Sequence, residues 1–544
     1  MKIQVRINEE GALRNQRYAF TDRFTLISEL LQNARRAGAF HINVEYDAAD
    51  RKLSVRDDGR GLDDFQKLLS FHESGWDNDI ADREHPFGIG FTKCLYAATH
   101  ITVASGRQRV AINTAAALRR EPFEVETVSD PIEGTYIELH GAEIEGLERR
   151  LETLCQGFPV DVVFNSRPLE RRYAEHRLAE TQTPIGSVHV AGNRDGKATH
   201  STLVFLQGFC VKRPVYFDPS RVNVIHLDPR EFMARLPDRD ILIDSDQQLE
   251  RVDKQLKQCW RQILEVAIKQ LPPRQFVETY FDAMHSWGHL DLLNVIDELP
   301  VQLFGRISGY PIRSEFCDRD YLKALTVAPT RQAIEQGDVT LVSMDWLSEE
   351  NTAHWMYVRE KAWLVFKAHI LDAAHWVHPF IRRLEEQLVE VEAMEVLTHV
   401  PLEGRWVQPE VTLCRAVHIR IGDDEVAITD AGVCHEGDIL VPAGECSGEP
   451  VRQLSKFIDE NDRFLKADME ADRDALADLI RRLRSTDPAA TLDSLLTEIR
   501  LGKYPQLQGK RFEIAVGVGM APGHSVELLK FEGTPSQPDG GNHA

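Results

Sequence analysis

Glu29 and Asn33 are the first residues in this chain whose types and spacing could do chemistry. They stand four apart, so on a helix they share one face. The Asn33 carboxamide is a hard oxygen donor of the kind magnesium accepts. The Glu29 carboxylate can orient and deprotonate a water aimed at a phosphate. Phe24, Ile27, Leu31 and Ala34 fall on the opposite side and predict a core-packed amphipathic helix. The competing reading of Glu29 and Asn33 is a solvated polar face.

Two further patterns follow. The alternating run Lys52-Leu53-Ser54-Val55-Arg56 breaks into Asp57-Asp58-Gly59-Arg60-Gly61. Glycines there permit a tight turn and close approach of a ligand, and an acid at a strand end can accept from an adenine amino group. An ordinary Asp-Gly turn has the same composition. Then Phe87-Gly88-Ile89-Gly90-Phe91 precedes Thr92 to Ala98, a predicted helix whose first N–H groups could face phosphates.

The order of these motifs resembles the GHKL ATPases: gyrase-type ATPases, heat-shock chaperones of the ninety-kilodalton class, sensor histidine kinases and MutL. The resemblance covers roughly residues 15–145 and is closest in style to the chaperone-like branch. It implies ATP and magnesium as cofactors, with Glu29 as catalytic base and Asn33 as the magnesium ligand. It also implies an adenine site at Asp57, Gly59, Gly61 and Thr135, the last within Glu133-Gly134-Thr135-Tyr136. Phosphates would meet Gly88, Ile89, Gly90 and Phe91 under a closing lid.

The chain departs from the family in two places. Arg36 stands where relatives carry an acid. The lid, Phe71 to Pro86, holds Glu73, Asp77, Asp79, Asp82 and Glu84 against one base, Arg83, and has no lysine. Arg36 is therefore expected to pair with Glu73 or Asp77, against the alternative that it reaches to solvent.

These motifs need a sheet and helix to hold them. A hairpin is predicted over His41 to Asp57, with strands near 101–103, 109–112 and 136–139. The expected fold is an α/β multidomain protein: a GHKL (Bergerat) α/β sandwich over 1–160, then a transducer-like α/β domain over 161–272. A mainly helical region over 273–400, an α+β domain over 401–532 and a disordered tail over 533–544 would complete it. In the GHKL machines that are not kinases, the second domain sends one basic residue to the γ-phosphate. Arg235 and Arg239, flanking Pro237, are the candidates for that catalytic role. His375 and His378 share a helical face, but no third metal ligand is evident.

Composition narrows the function. With 64 Lys and Arg against 86 Asp and Glu, the 544-residue chain carries a formal charge of -22, which disfavours broad phosphate-backbone binding. Eight scattered cysteines without a Cys-x-x-Cys pair suit a reducing cytoplasm. No apolar run is long enough to span a membrane. The chain is thus expected to be a cytoplasmic ATP-hydrolysing conformational machine. It would act on a protein client or partner and pair two copies when ATP is bound. The alternatives are a DNA-associated ATPase of the MutL, MORC or type IIB topoisomerase kind and a non-hydrolysing nucleotide sensor.

Overall fold

In a computed structural model of the protein, two compact units divide the chain between residues 300 and 301. The structure describes residues 22–71, 76, 90–235, 241–305, 307–308, 320–322, 325–345, 351–405, 408–443, 466–517 and 524–529, with isolated positions before 22. The lid residues Glu73, Asp77, Asp79, Asp82 and Glu84, the glycine-box residues Gly88 and Ile89, Arg239, and the tail from 533 lie outside the described residues.

The first unit opens with helix α1, Thr25–Arg36. The Asp22 carboxylate accepts from the Phe24 N–H at 3.0 Å and fixes the helix start. The chain reverses at Gly38, whose φ of +76° suits a glycine. Strands β1, His41–Asp47, and β2, Lys52–Asp57, then form the expected antiparallel hairpin, with Val44 opposite Val55. The Asp47 side chain holds the turn through the N–H groups of Ala49 and Asp50.

Strands β3, His100–Asn113, and β4, Val125–His140, add a long ribbon where separate shorter strands were expected. Helix α2, Leu147–Cys155, leads to β5, Asp161–Phe164, which runs parallel to β1. With β6, Arg167–Pro168, the sheet order is β3-β4-β2-β1-β5-β6. Helix α1 packs on this sheet through a fully buried set that includes Ile27, Leu31, Ile42, Val44, Leu53, Ile101, Val103 and Leu139. The result is a mixed sheet with helices packed on it, the α/β arrangement expected for this part of the chain.

The second sheet of this unit has strands β7, Thr181–Thr183, β8, Gly186–His189, β9, Thr202–Leu206, β10, Phe209–Lys212, and β11, Asn223–Leu227. Its order is β10-β9-β11-β8-β7. The β9–β10 turn rests on the first sheet's domain: Phe209 stacks on Phe158 at 5.4 Å between ring centroids. Helices α3, Ser245–Gln270, and α4, Pro273–Trp287, close the unit. Pro273 starts α4 and Gly288, with φ of +68°, ends it.

The second unit has a separate apolar core around Trp355, Met356, Tyr357, Val411, Val417, Ile419 and Val433. Two antiparallel or mixed sheets, from Val389 to Pro442, supply most of it. Helices follow at Lys466–Arg484 and Pro488–Ile499, then a hairpin of Phe512–Val516 and His524–Leu528. The expectation of a mainly helical region over 273–400 is corrected here. Besides the helices Pro273–Trp287, Arg331–Glu335 and Thr352–Glu360, that stretch contains strands Leu341–Ser343, Leu364–Val365 and Ile381–Arg383 in one parallel sheet. Strands of two or three residues carry no readable alternation, which hides them in the sequence.

Among the described residues no helix is long and apolar enough to cross a membrane, and no group of three or more His, Cys, Asp or Glu could hold a metal ion. His375 and His378 serve local structure instead. His375 Nδ1 accepts from the Val377 N–H at 3.2 Å, and His378 Nε2 lies 2.9 Å from the Asp372 carbonyl.

Candidate nucleotide-binding site

The three motifs converge on α1. At its N-terminal half, Glu29 is 5% exposed, so its helix face is not a solvated one. The Glu29 Oε2 atom lies so close to Gly90 that a Cβ at position 90 would come within 2.6 Å of it. The other oxygen, Oε1, is 3.4 Å from Lys93 Nζ, and both side chains are almost wholly buried. The expected helix after Gly90 is a 3-10 turn, Phe91–Lys93, running into the short helix Cys94–Ala97. That tight turn points Lys93 back at α1. Asn33 lies one turn on from Glu29 and is half-buried.

At the C-terminal end of α1, Ala37 meets the first glycine loop. The Arg60 N–H donates to the Ala37 carbonyl at 2.9 Å, and a Cβ on Gly59 would come 2.8 Å from the Ala37 Cβ. Gly61, with φ of +76°, has Ser105 Oγ against it, where a Cβ would sit at 2.6 Å. The space beside both glycines is therefore filled by the chain itself. Glu29 and Ala37 are eight residues apart, about 12 Å along the helix.

Asp57 sits at the end of β2, buried, directly opposite Thr135 of β4. Burial raises its pKa above the ordinary carboxylate value. The Gly59 N–H and the backbone N–H and hydroxyl of Thr135 partly offset this. Gly134 has φ of +67°, and any Cβ there would strike the Asp57 carbonyl. The Gly134-Thr135 pair thus holds the strand end in place. Asp58 does a different job. Its carboxylate accepts from the Phe40 and His41 N–H groups at 2.7 and 2.9 Å and so ties the start of β1.

Two residues near the pocket escaped the sequence reading. Lys93 is one; it is the only Lys or Arg between Arg83 and Arg107, which was the available signal. Gln32 is the other. It is fully buried, and its Nε2 donates to the Gln207 carbonyl at 2.8 Å in the β9–β10 turn. No local pattern announces a contact across 175 positions. Arg36 is buried at 7% exposure, which removes the alternative that it reaches to solvent. Arg60 stacks on Trp76 of the lid at 5.2 Å. Half-buried Phe91 packs against the main core. Arg235 is exposed and its N–H donates to the Ile241 carbonyl at 2.8 Å.

The donor set suits a magnesium-bound nucleoside triphosphate. A carboxamide and a buried carboxylate stand one helical turn apart at one end, with an ammonium beside them. A buried acid at a strand end stands at the other.

Residues 22–140 match the family model of histidine kinase-, DNA gyrase B- and HSP90-like ATPases. Among solved structures, the ATPase region of Saccharomyces cerevisiae topoisomerase II aligns over 44% of this chain and 89% of that one, at 11% identity and a TM-score of 0.33. The same region bound to ICRF-187 (dexrazoxane) aligns over 44% and 90%, at 10% identity and a TM-score of 0.31. No curated protein matches the chain. Residues 22–140, about a fifth of the chain, are thus similar to the GHKL ATPases and carry their fold of mixed sheet and helices.

Proposed function

We propose that the protein binds ATP with magnesium at the α1 pocket and hydrolyses it, using the change to drive a conformational cycle on a protein partner. The observation that supports this reading is that α1 meets both glycine loops, Glu29 lying against Gly90 and Ala37 against Gly59 next to Asp57, within residues similar to a GHKL family model. When bound, magnesium would neutralise developing charge on the transferred phosphoryl group.

Each side chain has a distinct part. Asn33 offers the carboxamide oxygen to magnesium. Glu29 holds and deprotonates the attacking water. Asp57 accepts a hydrogen bond from the adenine amino group and so selects adenine over guanine. Gln32 ties α1 to the β9–β10 turn, giving the pocket a direct mechanical connection to the second sheet. Arg235 and Arg239 remain the proposed source of a further cation from that domain.

The charge of -22 favours a protein partner over nucleic acid. Pairing of two copies in the ATP state belongs to the same proposal. Turnover tests the chemistry. Glu29→Ala should bind ATP and lose nearly all hydrolysis, while Asn33→Ala should lose magnesium-dependent binding. Wild-type turnover by Glu29→Ala would remove the assigned base.

A further inference from the structure

Lys93 is buried to 3% side-chain exposure, with its Nζ 3.4 Å from Glu29 Oε1. The second Glu29 oxygen abuts Gly90. The two residues that flank the carboxylate are thus three apart, Gly90 within the second glycine box and Lys93 just after it. An attacking water must take one of the carboxylate oxygens, and Lys93 already engages one. An ammonium buried this deeply also needs an anionic partner at all times, because an unpaired buried charge is strongly destabilising. Lysine is a compact point charge on a flexible four-carbon stem, suited to changing from a carboxylate to a phosphate within a few ångströms.

We infer that Lys93 is the residue that contacts the terminal phosphate of the bound nucleoside triphosphate, and that its transfer from Glu29 to that phosphate releases Glu29 to hold water. This rests on the ATP-binding reading above. Glu29 and the terminal phosphate then compete for one ammonium. The pocket without a terminal phosphate keeps its base masked, and a nucleoside diphosphate, which lacks that group, leaves the Glu29–Lys93 pair intact. No bond is made or broken in the exchange.

The competition makes the inference testable by binding alone. The full-length protein is titrated calorimetrically with a non-hydrolysable ATP analogue and, separately, with ADP, both with magnesium. Lys93→Met should weaken the analogue by at least about tenfold and leave ADP within about twofold. Glu29→Gln removes the competitor and should tighten the analogue while leaving ADP unchanged. The double variant Lys93→Met, Glu29→Gln, which buries no charge at either position, should lose that gain. Lys93→Arg should restore the preference for the analogue. If Lys93→Met fails to fold, the double variant supplies the comparison with Glu29→Gln. Equal weakening of ADP and analogue by Lys93→Met, or no tightening in Glu29→Gln, overturns the inference while ATP binding stands. A wild-type protein that binds neither nucleotide overturns both.

Discussion

Two apolar cores in this molecule differ in what else they bury. Among the described residues, the domain over 22–140 buries Glu29, Arg36, Asp57 and Lys93, all charged types. Among its described residues, the unit from 301 onward buries one residue of such a type, Asp472, which accepts from the Arg405 N–H at 2.7 Å and ties the Lys466–Arg484 helix to a segment 67 positions away. Burying charge costs several kcal/mol per ion even after relaxation, on the order of what a small domain's stability can lose. A chain keeps such groups where they do chemistry. The comparison separates a core that holds charged side chains, as the proposed nucleotide chemistry would need, from one that is almost wholly apolar among the described residues.

The sharpest contrast comes from cutting the second core. Met356 is fully buried in it, and Met356→Ala should destabilise that unit by about 2–5 kcal/mol. Denaturant unfolding should show this loss with nucleotide affinity unchanged. A matching loss of affinity would mean the two units are not functionally separable.

A smaller effect is expected at the surface of the N-terminal sheet. The Glu138 carboxylate accepts from Lys52 Nζ at 2.9 Å and lies 2.8 Å from His140 Nε2. Desolvation opposes its ionisation, but the Tyr136 hydroxyl, Lys52 and His140 together hold its pKa down to about 2, below the ordinary 4.5. Because the folded value is the lower one, the stabilisation is present above pH 4.5 and lost as pH falls toward 2. Glu138→Gln should therefore cost about 1–2 kcal/mol at pH 7, a figure reduced for solvent screening, and progressively less below pH 4.5. A cost that does not change with pH would assign the effect to packing.

The smallest effect belongs to the link between the two sheets of the first unit. Gln32→Ala removes one buried hydrogen bond to the Gln207 carbonyl and should cost about 1 kcal/mol in thermal unfolding. If the link transmits the pocket's state, protection of the β9–β10 turn from hydrogen exchange should respond to nucleotide in the wild type and not in Gln32→Ala. An identical response in both would leave Gln32 a packing residue.

What the sequence made legible follows from the range of the forces involved. A fully buried strand is a short apolar run, as in Leu203-Val204-Phe205-Leu206 of β9. The β1–β2 hairpin was readable from alternation and an Asp-rich turn. Glu29, Asn33 and Asp57 were singled out from residue type and spacing and Thr135 from the family resemblance; the structure places Glu29 against Gly90 and Asp57 opposite Thr135. Lys93 was missed because a lysine's burial depends on what faces it from another element, and local pattern treats it as solvated. The same limit hid Gln32 and disguised the short parallel strands beyond residue 340. The glycines have a packing reason that local pattern does not show: Gly59, Gly61 and Gly134 make room for Ala37, Ser105 and the Asp57 backbone.

The central claim is that buried charge in the N-terminal domain serves nucleotide recognition at the expense of stability, and Asp57 tests it most directly. Its carboxylate is raised in pKa by burial, so ionisation at neutral pH works against the fold. The decisive measurement pairs calorimetric titration of the full chain with magnesium and a non-hydrolysable ATP analogue against thermal unfolding at pH 7, in wild type and Asp57→Asn. The account predicts that Asp57→Asn binds the analogue at least about tenfold more weakly and melts no lower than wild type, or a few degrees higher. Unchanged affinity, or lost affinity with a sharply lowered melting temperature, would contradict it.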